Sequence, residues 1–160
     1  SLVRSDLNVR LIFVGSFDLP STEAATRATP GWDRVDFRGF QGRREVAAAL
    51  AEARAGLTLF LPLPNHVAAQ PNKLFEYMAA GLPLIASDFP LWRAIVAGAN
   101  CGLLVEPLDP RAIAAAIEQI LEHPDDADKM GRRGREAVYA RYNWNVEAEK
   151  LLRFYEACLC

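Results

Sequence analysis

Glu76 is the residue of this chain best placed to grip a polar ligand. It lies in the segment 71–90, PNKLFEYMAAGLPLIASDFP. There Asn72 can cap a helix, Leu74, Phe75, Met78 and Ala79 recur at helical spacing, and Gly81 can end it. An acid on the first turns of such a helix follows a Pro-bounded loop and sits beside backbone amides that favour anions. That combination suits a pocket holding a sugar ring and a phosphate together, because a carboxylate accepts two hydrogen bonds at once. The alternative is a solvated acid that merely favours the N-terminal dipole. Asn72, Lys73 and Leu74 occupy the helix start, where the first amides lack intrahelical partners. Lys73 either adds a point charge for the ligand or is a solvated first-turn cation.

Other polar residues carry weaker patterns. Gly15 and Ser16 end a strand at the side where open α/β sheets bind ligands, although a simple turn has the same composition. Gly39 and Phe40 close the next strand, and Phe40 reads equally as core. Asn65 and His66 stand in the loop before the 71–90 segment, where a histidine is commonly a surface residue. Asp33, Asp36, Asp125 and Asp126 look like turn and helix-start acids. No Ser/His/Asp order, P-loop or metal cluster is present. Cys101, Cys158 and Cys160 form an odd set without metal-like spacing, which reads as reduced structural thiols.

The elements that would position these residues alternate regularly. Strands are expected near 9–15, 35–40, 57–63, 82–88 and 101–107, with helices over 21–28, 43–53, 72–80 and 90–98. The run LTLFLPL (57–63) is nearly all apolar, as for an inner parallel strand covered on both faces. The expected fold is therefore α/β, a parallel sheet of about five strands with helices on both faces. After Pro110 three helical stretches follow without a strand, forming a helical C-terminal extension. Pro124 opens the second of these and Asn143 can cap the third, in which Ala148, Leu151, Leu152, Tyr155 and Leu159 share one face.

Composition excludes several classes. The 160 residues, 51% hydrophobic, suffice for one folded domain. A formal net charge of −2 argues against nucleic-acid binding, which needs a basic face. No apolar run approaches the roughly 20 residues of a membrane span, and no signal-peptide pattern opens the chain, so the expected location is cytoplasmic. The Ser1-Leu2 start fits an internal cut or an excised fragment.

The core NKLFEYMAAGLPLIASD, supported by VRLIFVG, VDFRGF, CGLLVEPLDP and the RYNW-to-terminus helix, closely resembles the donor-binding C-terminal half of retaining glycosyltransferases of family 4 (group 1). These enzymes pair two Rossmann-like domains in the GT-B fold. The resemblance covers nearly the whole chain, and its specific part is that core. It implies one Rossmann-like domain over 1–160, with the acceptor domain and this domain's first strand lying upstream. It further implies that Glu76 holds the donor's ribose hydroxyls and that the amides of Asn72, Lys73 and Leu74 face the diphosphate. Gly15 and Ser16 would line the donor side, with Gly39 and Phe40 at the place of the nucleobase.

The implied reaction moves a sugar from a nucleotide-diphosphate donor, uracil or guanine, to an alcohol acceptor. It proceeds with retention, without a metal and with no cofactor besides the donor. Charge developing on the diphosphate would be met by helix amides and cations placed in advance. The family signature has two glutamates eight positions apart, and counting back from Glu76 gives Ala68. Asn65 and His66 are the candidates to take over that sugar contact, and no catalytic group is assigned. A sugar or lipid-linked acceptor, and any membrane association, would belong to the N-terminal domain. Self-association is expected where the sheet lacks its first strand. Alone, the domain is expected to bind nucleotide weakly and to transfer nothing. The alternatives are a non-catalytic donor-binding subunit of a split transferase and a GT-B-related nucleotide-sugar epimerase.

Overall fold

The computed structural model describes residues 7–159; Cys160 and the Ser1-Leu2 start lie outside them. The chain groups into two compact units, Ser1–Ala53 and Arg54–Cys160.

The first unit contains β1 (Leu11–Val14), α1 (Pro20–Arg27), a 3-10 turn (Trp32–Arg34), β2 (Val35–Gly39) and α2 (Arg43–Glu52). β1 and β2 run parallel, with Phe13 opposite Phe37. Around that pair gather Phe17 and Trp32, at ring separations of 5.3 to 6.5 Å. The Arg27 guanidinium lies 5.1 Å from the Trp32 ring and 5.0 Å from Phe37, so a cation closes this small aromatic core. The neighbouring positions of β2 project to the opposite face. There Arg38 bonds Asp36 at 2.8 Å and Glu52 of α2 at 2.6 Å. The guanidinium holds the Glu52 carboxyl below its usual range.

The second unit contains β3 (Gly56–Thr58), α3 (Pro64–Val67), α4 (Asn72–Ala80), β4 (Leu84–Ser87), α5 (Pro90–Ala99) and β5 (Gly102–Val105). Helices α6 (Pro110–Glu122), α7 (Pro124–Ala140) and α8 (Trp144–Leu159) complete it. β3, β4 and β5 are parallel in that order. The five expected strands are present and pair in parallel within each unit, as a ladder of two and a ladder of three rather than as one sheet of five.

The inner strand of the second unit is not the one expected. β4 is central and buried along its length, whereas the run 57–63 leaves the ladder after Thr58 and exposes Leu61 and Leu63. Pro62 and Pro64 have no N–H to donate. At Phe60 the pairing passes to a side chain: its N–H donates to Ser87 Oγ at 2.9 Å, and that hydroxyl donates to the Phe60 carbonyl at 3.1 Å. A one-turn helix, α3, replaces the expected loop, with Pro64 at its first position, where the missing N–H costs nothing.

Alternation along β4 builds a core on each face of the sheet. Leu84 and Ala86 pack with Leu74, Met78, Trp92, Ile95, Val96 and Ala137 from α4, α5 and α7. Ile85 faces the other way, toward Val105, Ala116, Ile120 and Ala127. Cys101 belongs to the first core, and burial pushes its thiol up to about 11, as expected for an inert structural cysteine.

Helix α7 closes the first core from outside. A Cβ on Gly131 would collide with the Gly81 carbonyl, and one on Gly134 would stand 3.3 Å from Cys101 and 3.4 Å from Met78. From this close seat Arg135 donates to the carbonyls of Ala79 and Ala80 at 3.2 and 2.7 Å. Arg133 donates to that of Asn100 at 2.6 Å. These arginines answer carbonyls that end α4 and α5 without intrahelical partners. Asn143 caps α8 as expected, accepting from Val146 N–H at 3.2 Å. No residue of α8 is buried, and Leu151, Leu152, Phe154, Tyr155 and Leu159 are exposed. No helix among the described residues is long and apolar enough to cross a membrane.

Candidate functional site

The chain leaves β3, passes α3, and returns along α4 to begin β4. Because β3 and β4 are parallel, the start of α4 lies at the edge where the strands end, the ligand-binding edge of open α/β sheets. A nine-residue helix is marginal in isolation. Complete burial of Leu74 and Met78, worth about 1.5–3 kcal/mol each, is what holds α4 in place.

The first turn of α4 differs from the sequence expectation at two residues. Pro71, not Asn72, is the N-cap, at φ −70° and ψ 135°; its ring already fixes the required φ. Asn72 is the first helical residue, and no side chain caps the helix. Leu74 turns into the core, and its amide donates to the Pro71 carbonyl at 3.1 Å. Leu74 is therefore a packing residue. The amides of Asn72 and Lys73 are left without a partner among the described residues.

Lys73 and Glu76 share the exposed face of α4. The Lys73 ammonium stands 5.1 Å from the Phe60 ring centre. Glu76 has no ion pair or hydrogen bond among the described residues. Arg93 is the cation that would have made it structural, and it is bound instead to Asp88 through Nε at 2.8 Å and Nη2 at 2.7 Å. A carboxylate free of protein partners keeps its acceptor capacity for a ligand.

The loop before α4 is pinned along its length. Phe60 is held by Ser87, and its ring meets His66 at 5.0 Å and Trp92 at 5.4 Å. His66 Nδ1 is 3.0 Å from the Leu61 carbonyl, and the Trp92 indole donates to the Ala69 carbonyl at 2.7 Å. Asn65 and Ala68 are exposed on α3 and at its end. Sequence reasoning passed over Phe60, Ser87 and Trp92 as parts of this site. A signal for Trp92 existed, since a buried indole N–H needs an acceptor.

The first unit holds the other candidates. Gly15 and Gly39 take φ of +145° and +65°, and the Gly15 amide donates to the Gly39 carbonyl at 2.9 Å. That bond makes them a strand-end turn and commits the Gly15 amide. Ser16 is exposed. Phe40 is 85% exposed, so it is not core. An aromatic ring left in water just after a strand end is available for stacking.

Residues 1–123 match the family model described as "Glycosyl transferases group 1". The chain is 37% identical over 83 residues to the phosphatidyl-myo-inositol mannosyltransferase of Mycobacterium leprae (strain TN), covering 52% of this chain and 22% of that protein. It is 29% identical over 122 residues to glycogen synthase of Mycobacterium tuberculosis (strain CDC 1551 / Oshkosh), covering 76% of this chain and 28% of the relative. Among solved structures, sucrose-phosphate synthase from Thermosynechococcus elongatus superposes with a TM-score of 0.78 at 30% identity, over 94% of this chain and 38% of that one. Anabaena HepE, solved in complex with UDP, shares the fold at a TM-score of 0.78 and 18% identity, over 93% of this chain and 41% of that one. The chain thus spans under a third of the length of these curated relatives. By its family match over most of its length, the chain belongs to the group 1 glycosyltransferases.

Proposed function

We propose that this chain is the donor-binding part of a nucleotide-sugar-dependent glycosyltransferase, acting with retention and without a metal. The observation that carries the reading is the first turn of α4, where, among the described residues, the amides of Asn72 and Lys73 lack partners and Glu76 stands one turn further on without an ion pair. Unpaired amides at a helix start favour the donor diphosphate, the Lys73 ammonium adds a mobile positive charge, and Glu76 takes two ribose hydroxyls. Membership of the family supports this assignment, as does the UDP held by the fold relative HepE.

The chemistry demanded of such a site is modest. The leaving diphosphate gains charge as the glycosidic bond breaks, and donors already aimed at it lower the barrier without reorganising. The test is calorimetric titration of the chain with UDP, GDP, UDP-glucose and GDP-mannose, for which a Kd on the order of 0.1–1 mM corresponds to about −4 to −5.5 kcal/mol. Glu76→Ala should weaken the bound nucleotide by about 1.5–3 kcal/mol, the range for hydrogen bonds to a charged group, with the melting temperature unchanged. Unaltered nucleotide affinity in that variant would remove Glu76 from the site.

A further inference from the structure

We infer that His66 selects the donor's sugar, accepting a hydrogen bond at Nε2 from a hydroxyl of the group to be transferred; this rests on the donor-site reading above. His66 Nδ1 lies 3.0 Å from the Leu61 carbonyl. A carbonyl only accepts, so the proton of the neutral ring must be on Nδ1, and Nε2 carries the lone pair. Nε2 has no partner among the described residues.

The ring is also held in direction. It meets Phe60 at 5.0 Å with the planes 60° apart, and Phe60 is fixed in turn by Ser87 and Trp92. Downstream, the Trp92 indole holds the Ala69 carbonyl, so the peptide carrying His66 is tied on both sides. A side chain anchored this way presents one acceptor in one orientation, which is what reading a single hydroxyl requires.

Placement supplies the rest. His66 and the Lys73 ammonium both stand within 5.1 Å of the Phe60 ring centre, and Lys73 lies in the first turn of the helix whose free amides would take the diphosphate. A sugar attached to a diphosphate held there would be within reach of the Phe60 edge. Sugar hydroxyls need acceptors, yet residues 53–75 contain no aspartate or glutamate. His66 Nε2 is the side-chain acceptor in that stretch whose direction the fold fixes.

The test separates sugar from nucleotide. With the 160-residue chain, calorimetry compares UDP with UDP-glucose and GDP with GDP-mannose for the parent, His66→Ala and His66→Gln. His66→Ala should lose about five- to tenfold in affinity for the sugar nucleotide and stay within about twofold for the diphosphate alone. His66→Gln, whose amide oxygen also accepts, should recover most of the loss. The chain has two histidines, so nitrogen NMR assigns His66 directly. The free protein should show the Nδ1–H form, and the Nε2 resonance should move with the sugar nucleotide and not with the diphosphate. Equal losses for both ligands, no loss for either, or an Nε2–H ring in the free protein would overturn the inference. Failure of the parent to bind any of the four probes would overturn the donor-site reading itself, and this inference with it.

Discussion

Two glycine-to-alanine changes in neighbouring helices should move stability in opposite directions. Gly131 lies in α7 and Gly98 in α5, so each substitution gains helix propensity, up to about 1 kcal/mol. Around Gly98 a Cβ would meet nothing within 4 Å. The gain there stands alone, tempered by proximity to the helix end, and Gly98→Ala should stabilise by about 0.5–1 kcal/mol. At Gly131 the new methyl would be driven into the carbonyl of Gly81, which ends α4 at φ +76°. That carbonyl is backbone in a conformation with little freedom to shift, so α7 must withdraw instead. Withdrawal loosens Ala127 and Ala137 in the two cores and stretches the bonds from Arg133 and Arg135. Overpacking of this kind costs about 1–3 kcal/mol or more, and taking its upper end against the propensity gain leaves a net loss of about 2 kcal/mol. For a chain of this size that is a melting temperature lower by roughly 4–8 °C, against a rise of about 1–4 °C for Gly98→Ala. Thermal melts followed by far-ultraviolet circular dichroism give both numbers. If Gly131→Ala melts at or above the parent, α7 is not seated on the Gly81 carbonyl as described.

Two further outcomes follow from single side chains. Thr58 is fully buried and its hydroxyl has no hydrogen-bond partner among the described residues, so Thr58→Val should remove a desolvation penalty and stabilise by about 1 kcal/mol; an unchanged or lower melting temperature would mean that the hydroxyl is bonded. The hydrogen bond from Arg93 holds the Asp88 carboxyl below its ordinary value of 3.8, so the unfolded chain binds that proton more readily. The pair's contribution is then complete at neutral pH and is lost as the pH falls below 3.8 through the folded-state value. The pair is exposed, so Arg93→Ala should lower stability at pH 7 by no more than about 1 kcal/mol and by progressively less as the pH falls below 3.8; a loss that does not shrink on acidification would place the effect of Arg93 in packing rather than charge.

What the sequence disclosed and what it hid divide along physical lines. Period and punctuation carried the fold: the helices over 43–53, 72–80 and 90–98 and the strand starting at Val35 are found within a residue or two, because apolar spacing and Gly or Pro stops are local properties. The long run 57–63 misled, since its hydrophobicity said buried strand while the ladder depended on which neighbour had a free backbone group. Only the fold reveals that Ser87 supplies a hydroxyl there instead. In the site, Glu76 and Lys73 were legible because they interrupt a regular apolar stripe. The first turn was not, because both Pro71 and Asn72 could begin a helix and the choice between them rests on φ and ψ. Phe60 and Trp92 were invisible as site residues for a similar reason. Their spacing marks them as core, and their second role of fixing His66 and the 59–71 loop comes from contacts distant in sequence.

The division of labour within α4 explains why binding and stability can be measured apart. Positions 74 and 78, four residues apart, point into the core and hold the helix, while Arg135 of α7 occupies the carbonyls of Ala79 and Ala80 at its C-terminal end. None of this support comes from the face that carries Lys73 and Glu76. Surface substitutions away from packing, caps and ion pairs usually change stability by no more than about 0.5 kcal/mol, and Glu76 has no ion pair or hydrogen bond among the described residues to lose. A helix secured by one face and by its far end leaves its first turn and its other face free to be chosen for chemistry. The same independence makes the Glu76→Ala comparison decisive, since any loss of nucleotide affinity in a protein that melts normally must come from the missing carboxylate.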